Sequence, residues 1–199
     1  MTITNGYATL AEVKAVLRLT DNTDNALLEQ AIEGASRRID GYCNRFFYQT
    51  ASTAIRLYAN YSYHLTVQDL SSTSITLQTD DDGDGTYETT WSLNTDYILG
   101  PTNASLQSRP YTLIQATGGK SFPLFSPPDL PGVQVTAVWG WPSVPDDVRE
   151  ACILLSIRGF ARYNAALGVV GFGDMALQVR SVDPDVRDLL QPYRILGLA

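Results

Sequence analysis

Hydrophobic periodicity changes twice along this chain, and that constrains the fold more than any single motif. Apolar residues recur at helical spacing as far as Phe46. They alternate with period two from about Ala54 to Gly140, and helical spacing returns after Pro145. Strands grouped in one block between helical segments predict an α+β protein, because a wound α/β sheet would interleave the two. The divisions expected are residues 1–50 (N-terminal helices), 51–142 (a β-rich middle) and 143–199 (C-terminal helices and a tail).

The first helical stretch is YATLAEVKAVLRL, with Thr9 as N-cap and Leu10, Val13, Val16 and Leu17 on one face. The second, TDNTDNALLEQAIEGASRRIDGYCNRFF, is capped by Thr23 or Asp24. Its stripe is Leu28, Ala31, Ile32, Ala35, Ile39, Tyr42, Cys43 and Phe46. Gly34 and Gly41 interrupt good helix formers, at up to about 1 kcal/mol each, so close approach of another element is expected there. After Pro145, VPDDVREACILLSIRGFARYNAALG is apolar on two sides. Val148, Ala151, Cys152, Leu155 and Gly159 form one face, and Leu154, Ile157, Phe160 and Ala161 much of another. Such a helix is central to a core or shared with a neighbouring subunit. Gly168 is its expected end, and the following GVVGFGDM is a candidate hinge or inter-subunit loop.

The middle segment reads as seven short strands rich in β-branched and aromatic residues: AIRLY, YHLTV, SITLQT, TYETTWSL, DYILG, YTLIQAT and VQVTAVWGW. SFPLFSPPDLPG is too rich in proline for either element and is expected as an ordered surface loop with exposed aromatics. The last stretch, DPDVRDLLQPYRILGLA, predicts a short helix capped by Asp183 with Pro184 in its first turn. Pro192 ends it, and an apolar tail must fold back or dock on a partner.

The composition excludes several functions. The net charge is −7 with no run of Lys or Arg, so counterion-releasing capture of DNA is not expected. Cys43 and Cys152 each lie within an apolar helical pattern, and they read as buried thiols of a reducing compartment. We expect no secretory signal, no membrane span and synthesis in the cytoplasm. His64 is the one histidine, and it sits in a strand pattern among tyrosines, where a surface residue is expected and not a catalyst. GVVGFG follows a helix instead of a strand, the wrong setting for a dinucleotide loop. No catalytic constellation stands out, and neither an enzymatic activity nor a cofactor is expected.

The strongest local signal is TDDDGDGTYET. Asp80, Asp82, Asp84 and Gly85 fit positions 1, 3, 5 and 6 of a calcium loop. Position 12, which should be a bidentate Glu, is Trp91, and the flanks are strand-like. An acidic hairpin turn explains the same residues, with Asp-Gly supplying positive φ and the charges preventing edge pairing. No metal is therefore expected, with calcium at Asp80, Asp82 and Asp84 as a weak alternative.

The helical segments carry a resemblance. YATLAEVKAVLRL, LLEQAIEGASRRIDGYCNRFFY, VPDDVREACILLSIRGFARYNAALG and VDPDVRDLLQPYR, in that order and spacing, resemble the head-tail connector (adaptor or head-completion) proteins of long-tailed bacteriophages. The resemblance covers roughly residues 7–48 and 145–194. It implies a small helical bundle interrupted by a β insertion, and a structural virion protein at the head-tail interface. It further implies a dodecameric ring beneath the portal, with a stopper or tail-terminator protein as the next partner. DNA would pass through this ring unbound, discouraged from sticking by lumen carboxylates. Asp183–Ala199 would be the portal-docking element, with Tyr193, Ile195, Leu196 and Leu198 as anchors and Arg187 and Arg194 pairing with portal carboxylates. The alternative is a β-sandwich module binding, for example, carbohydrate through Tyr58, Tyr61, Tyr63 and Trp91.

Overall fold

A computed structural model describes residues 3–126, 129–164, 169–170, 177–178 and 184–195. The chain folds as two units, each packed mainly within itself. The first is Met1–Tyr48 with Val144–Ala199, and the second is Gln49–Ser143. Among the described residues, four α-helices and two main antiparallel sheets make the protein α+β.

The first unit holds helices α1 (Leu10–Leu17), α2 (Asn25–Cys43), α3 (Asp146–Asn164) and α4 (Pro184–Leu190). Thr9 starts α1 through a reciprocal capping box. The Glu12 N–H donates to Thr9 Oγ1 at 3.2 Å, and the Thr9 N–H donates back to Glu12 Oε2 at 2.7 Å. Asp24 occupies the N-cap of α2 without a side-chain capping bond. Leu28, Ala31, Ile32, Ala35, Ile39 and Cys43 are buried along α2, facing Val148, Ala151 and Cys152 of α3. Two expectations fail here. Val16 is 58% exposed, leaving Val13 as the buried anchor of α1. Phe47, not Phe46, is the fully buried phenylalanine, because α2 stops at Asn44 in the left-handed conformation (φ 54°) and the helical phase ends with it.

Gly159 of α3 is a point of close helix approach, since a Cβ there would lie 3.6 Å from the Ala31 Cβ. Gly34 and Gly41 are not. Both are exposed, and an added Cβ would meet nothing within 4 Å. Cys43 and Cys152 are buried free thiols.

The second unit contains β1 (Thr53–Leu57), β2 (His64–Leu70), β3 (Thr76–Thr79), β4 (Thr89–Trp91), β5 (Tyr97–Gly100), β6 (Tyr111–Ala116) and β7 (Val133–Ala137). One sheet has the order β1-β7-β3-β4 and the other β2-β6-β5. Alternation in β2 buries Leu65, Val67 and Leu70, and in β7 it buries Val133, Val135 and Ala137. Each indole N–H has a partner: Trp91 to Thr79 Oγ1, Trp139 to the Thr53 carbonyl and Trp141 to Asp69 Oδ2, at 3.1, 2.9 and 3.0 Å. A two-stranded ribbon, β8 (Val169–Val170) with β9 (Leu177–Gln178), completes the described strands. The rest of GVVGFGDM, with its hinge expectation, and the Asp183 cap lie outside the described residues.

Candidate functional site

The residues expected to dock begin in α4 and a short 3-10 turn, Gln191–Tyr193. Val186 and Leu190 are buried, while Arg187 is exposed. Tyr193 is half-buried. Its ring meets Phe47 edge-on at 5.7 Å, and its hydroxyl donates to Asp147 Oδ2 at 2.9 Å. The Arg194 guanidinium lies 5.3 Å from the centre of the Tyr42 ring. The Ile195 N–H donates to the Cys43 carbonyl at 2.9 Å, and the Ile195 side chain is 41% exposed. Tyr193 therefore fastens the start of the tail to its own helices, while Arg187, Arg194 and Ile195 face outward. Leu196 and Leu198 lie outside the described residues.

Beneath this turn lies a polar lock that sequence reading missed. The Tyr7 hydroxyl donates to Asp40 Oδ1 and accepts the Phe47 N–H at 2.8 Å. Burial, reinforced by that carboxylate, pushes the Tyr7 hydroxyl far above the ordinary tyrosine range. Asp40 is also pushed up by burial, against the opposing pull of Tyr7 and Arg37, whose Nε stands 3.0 Å from Asp40 Oδ2. The Tyr7 N–H donates to Ser36 Oγ at 3.1 Å, and Ser36 in turn donates to the Ile32 carbonyl at 2.8 Å. The N-terminal segment is thereby tied to α2 through both backbone and side chain.

In the β unit, residues 80–88 join β3 to β4 as an antiparallel hairpin, with Thr79 opposite Thr89. This connection is longer than the two-residue turn that Asp-Gly favours. Gly83 and Gly85 have φ of 83° and 91°, which suits residues without a side chain. Asp80 is fully buried and accepts the Gly83 N–H at 2.6 Å and the Gly85 N–H at 2.8 Å. Burial raises its carboxyl, but the backbone donors, Gly85 and Gly83 foremost, outweigh it and hold Asp80 below the usual range. Asp82, Asp84 and Glu88 are exposed, and with Asp80 they bring one carboxylate oxygen each within 4.8 Å of one another. Asp80 thus has a structural task of its own, bracing the loop from inside.

Other candidate surfaces carry less chemistry. A cleft of about 300 Å³ in the β unit is lined by Ser71, Thr73, Ser105, Ser108, Arg109 and Tyr111, hydroxyls with one cation and no acid-base pair. Tyr61 and Tyr63 are 69% and 59% exposed, but Trp91 is not available as a stacking platform. It is 5% exposed and stacked at 4.8 Å on Phe122. His64 is an exposed strand residue, as expected.

Comparison with known proteins matches a family over part of the chain. Residues 7–82 match the family model described as "Phage gp6-like head-tail connector protein". That match agrees with the resemblance to head-tail connectors over α1, α2 and strands β1 to β3, and it does not extend to α3 and α4. Three solved chains share the fold over 100% of this chain. They come from "Neck of empty GTA particle computed with C6 symmetry" (18% identity, 95% of that chain, TM-score 0.58), "Virion of native gene transfer agent (GTA) particle" (19%, 95%, 0.56) and "Neck of native GTA particle computed with C12 symmetry" (20%, 94%, 0.55). No curated protein gave a significant match.

Proposed function

We propose that the chain is one subunit of a dodecameric adaptor ring in the neck of a phage-type virion. The observation that carries this reading is the likeness, over the whole chain, to subunits of gene transfer agent necks, one of them described with C12 symmetry. In this reading the first unit is a small helical bundle, and the β unit is an insertion into it. The ring joins the portal of the head to a stopper or tail-terminator protein, and DNA passes through without specific binding. Before assembly the protein resides in the host cytoplasm.

The segment Asp183–Ala199 is the portal-docking element. Arg187 and Arg194 supply cations for partner carboxylates, and Ile195, Leu196 and Leu198 supply apolar anchors. Tyr193 fixes the base from which they extend. The test is electron microscopy of portal-bearing heads incubated with full-length protein and with protein truncated after Ile195. That truncation keeps the Tyr193–Asp147 and Ile195–Cys43 bonds. A ring coaxial with the portal, lost on truncation, is the expected result. Normal attachment of the truncated protein overturns the assignment of Leu196 and Leu198 as anchors, and absence of any ring with the full chain overturns the adaptor reading.

A further inference from the structure

The two units carry charge differently. The β unit has three basic residues against eight acidic ones, a formal −5, and eleven of the fourteen Lys and Arg lie in the helical unit. Within that unit one exposed helix face carries two arginines, of which Arg37 also donates to the Asn5 carbonyl at 3.0 Å. Gly34, Arg37, Arg38 and Gly41 fall three or four residues apart on α2, opposite its buried stripe, and all four are exposed. The acid nearest in sequence, Asp40, is occupied by the Tyr7 hydroxyl and by Arg37. Arg37 is held in place over the rings of Tyr7 and Tyr48, at 5.8 and 5.3 Å from their centres. One helical turn beyond Arg38 stands Tyr42, with the Arg194 guanidinium on its ring and the exposed Ile195 bonded to the next residue, Cys43. The face is therefore continuous with the start of the tail.

We propose that this face of α2 is a second docking surface, and that an acidic helical segment of the partner that receives the C-terminal tail occupies it. The proposal rests on the tail-docking reading above and extends it. Charge complementarity selects the occupant, since arginines presented by a protein of net charge −7 fit a carboxylate-bearing surface. The open space over Gly34 and Gly41 lets a helix backbone come close, which side chains at these positions would prevent. Arg38 pairs with partner carboxylates, and Ile195 and the ring edge of Tyr42 supply the apolar contact.

The test compares full-length protein, Gly41→Gln, Arg38→Glu and the truncation after Ile195. Each is titrated against portal-bearing heads and also examined alone by thermal melting and sedimentation. Gly41→Gln improves helix propensity at an open position, so melting of the free protein stays level or rises by roughly 1–3 °C. Its attachment to heads falls about tenfold or more, as does that of Arg38→Glu. Added salt weakens the wild type more than Arg38→Glu. A substitution that stabilises the free chain while weakening attachment cannot act through misfolding. If both variants attach like wild type while the truncation does not, the α2 face is no docking surface and the tail reading stands. If the variants weaken attachment and the truncation does not, the residues beyond Ile195 do not dock, and the proposal that one partner receives both the tail and the α2 face is overturned. Self-association of the free wild type that Arg38→Glu abolishes would make a second copy the occupant and overturn the proposal. So would wild-type protein that fails to attach at all.

Discussion

Replacing Tyr7 with Phe removes one oxygen atom and keeps the ring, so it isolates what the hydroxyl contributes. Tyr7 is 2% exposed, and its ring meets Phe47 at 5.6 Å, edge-on. Phenylalanine preserves that contact. It leaves the buried Phe47 N–H without its acceptor and Asp40 without its buried donor. An orphaned buried donor costs about 1–3 kcal/mol, and a hydrogen bond to a charged group contributes about 1.5–3 kcal/mol. The two terms overlap, because Asp40 keeps Arg37 and part of its hydration. We therefore expect a loss of about 2–4 kcal/mol, which would lower the melting temperature by roughly 5–15 °C. Urea unfolding followed by circular dichroism measures it. A double-mutant cycle with Asp40→Asn should show coupling of about 1–3 kcal/mol, since the two groups share one bond. Stability of Tyr7→Phe within about 0.5 kcal/mol of wild type, the size of an ordinary surface change, would refute the lock between the N-terminal segment and α2.

The same hydroxyl makes a pH prediction. Its pKa is raised on folding, so its contribution is complete below the ordinary value of 10.0 and is lost as pH climbs above it. Burial pushes the Cys43 thiol up to about 11 from 9.0, which adds a loss of stability across that interval. Alkaline unfolding should therefore start above pH 9, and Tyr7→Phe should flatten only the part above 10. Asp80 has the opposite sign. Its pKa is lowered, so its contribution is present above the ordinary 3.8 and disappears as pH falls below it. Asp80→Ala should remove hydrogen-exchange protection from the Gly83 and Gly85 amides at neutral pH, and unchanged protection would sink the bracing role. At Gly159, alanine should stabilise by about 0.5–1 kcal/mol, because its Cβ meets Ala31 at ordinary contact distance. Leucine at Gly159 should destabilise by about 1–3 kcal/mol, forcing α2 and α3 apart. Calorimetry with calcium should show no binding tighter than about millimolar, the weak end of such loops. Micromolar binding abolished by Asp82→Ala would overturn the turn-only reading of residues 80–88.

What could be read from the sequence, and what could not, divides by the range of the interactions involved. The seven strands of the β unit and the starts of α1 and α4 rest on local signals: alternation, the Thr9-Glu12 box and Pro184. Each could be read from a few neighbouring residues. The order β1-β7-β3-β4 could not, since pairing Thr53 with Ala137 depends on the closure of the whole unit. Errors arose where a local pattern was carried past its physical end. The α2 stripe selects Phe46 only if the helix continues, and Asn44 stops it by entering the left-handed region, which asparagine tolerates better than most residues. Asn44 was the available signal. Glycine misled for a related reason: Gly34 and Gly41 read as sites of close approach, yet among the described residues nothing lies within 4 Å of a Cβ at either, whereas Gly159, read only as part of an apolar face, has Ala31 beside it.

That difference bears on function. Gly34 and Gly41 weaken α2 by up to about 1 kcal/mol each and, among the described residues, gain no packing in return. A protein that works alone could replace both at no cost in contacts. A subunit of the proposed ring has a use for them, because its working state would include surfaces that a single copy leaves open. The proposed docking residues divide in the same way. Val186, Leu190 and Tyr193 are satisfied within the chain, whereas Arg187, Arg194 and Ile195 point outward from the base those residues fix. An apolar or arginine-bearing position that stays exposed after its neighbours have packed is therefore the better guide to the interface. On that criterion the proposed α2 face and the start of the tail, Arg194 and Ile195, form one surface, and the truncation and Gly41→Gln experiments are the means of separating their roles.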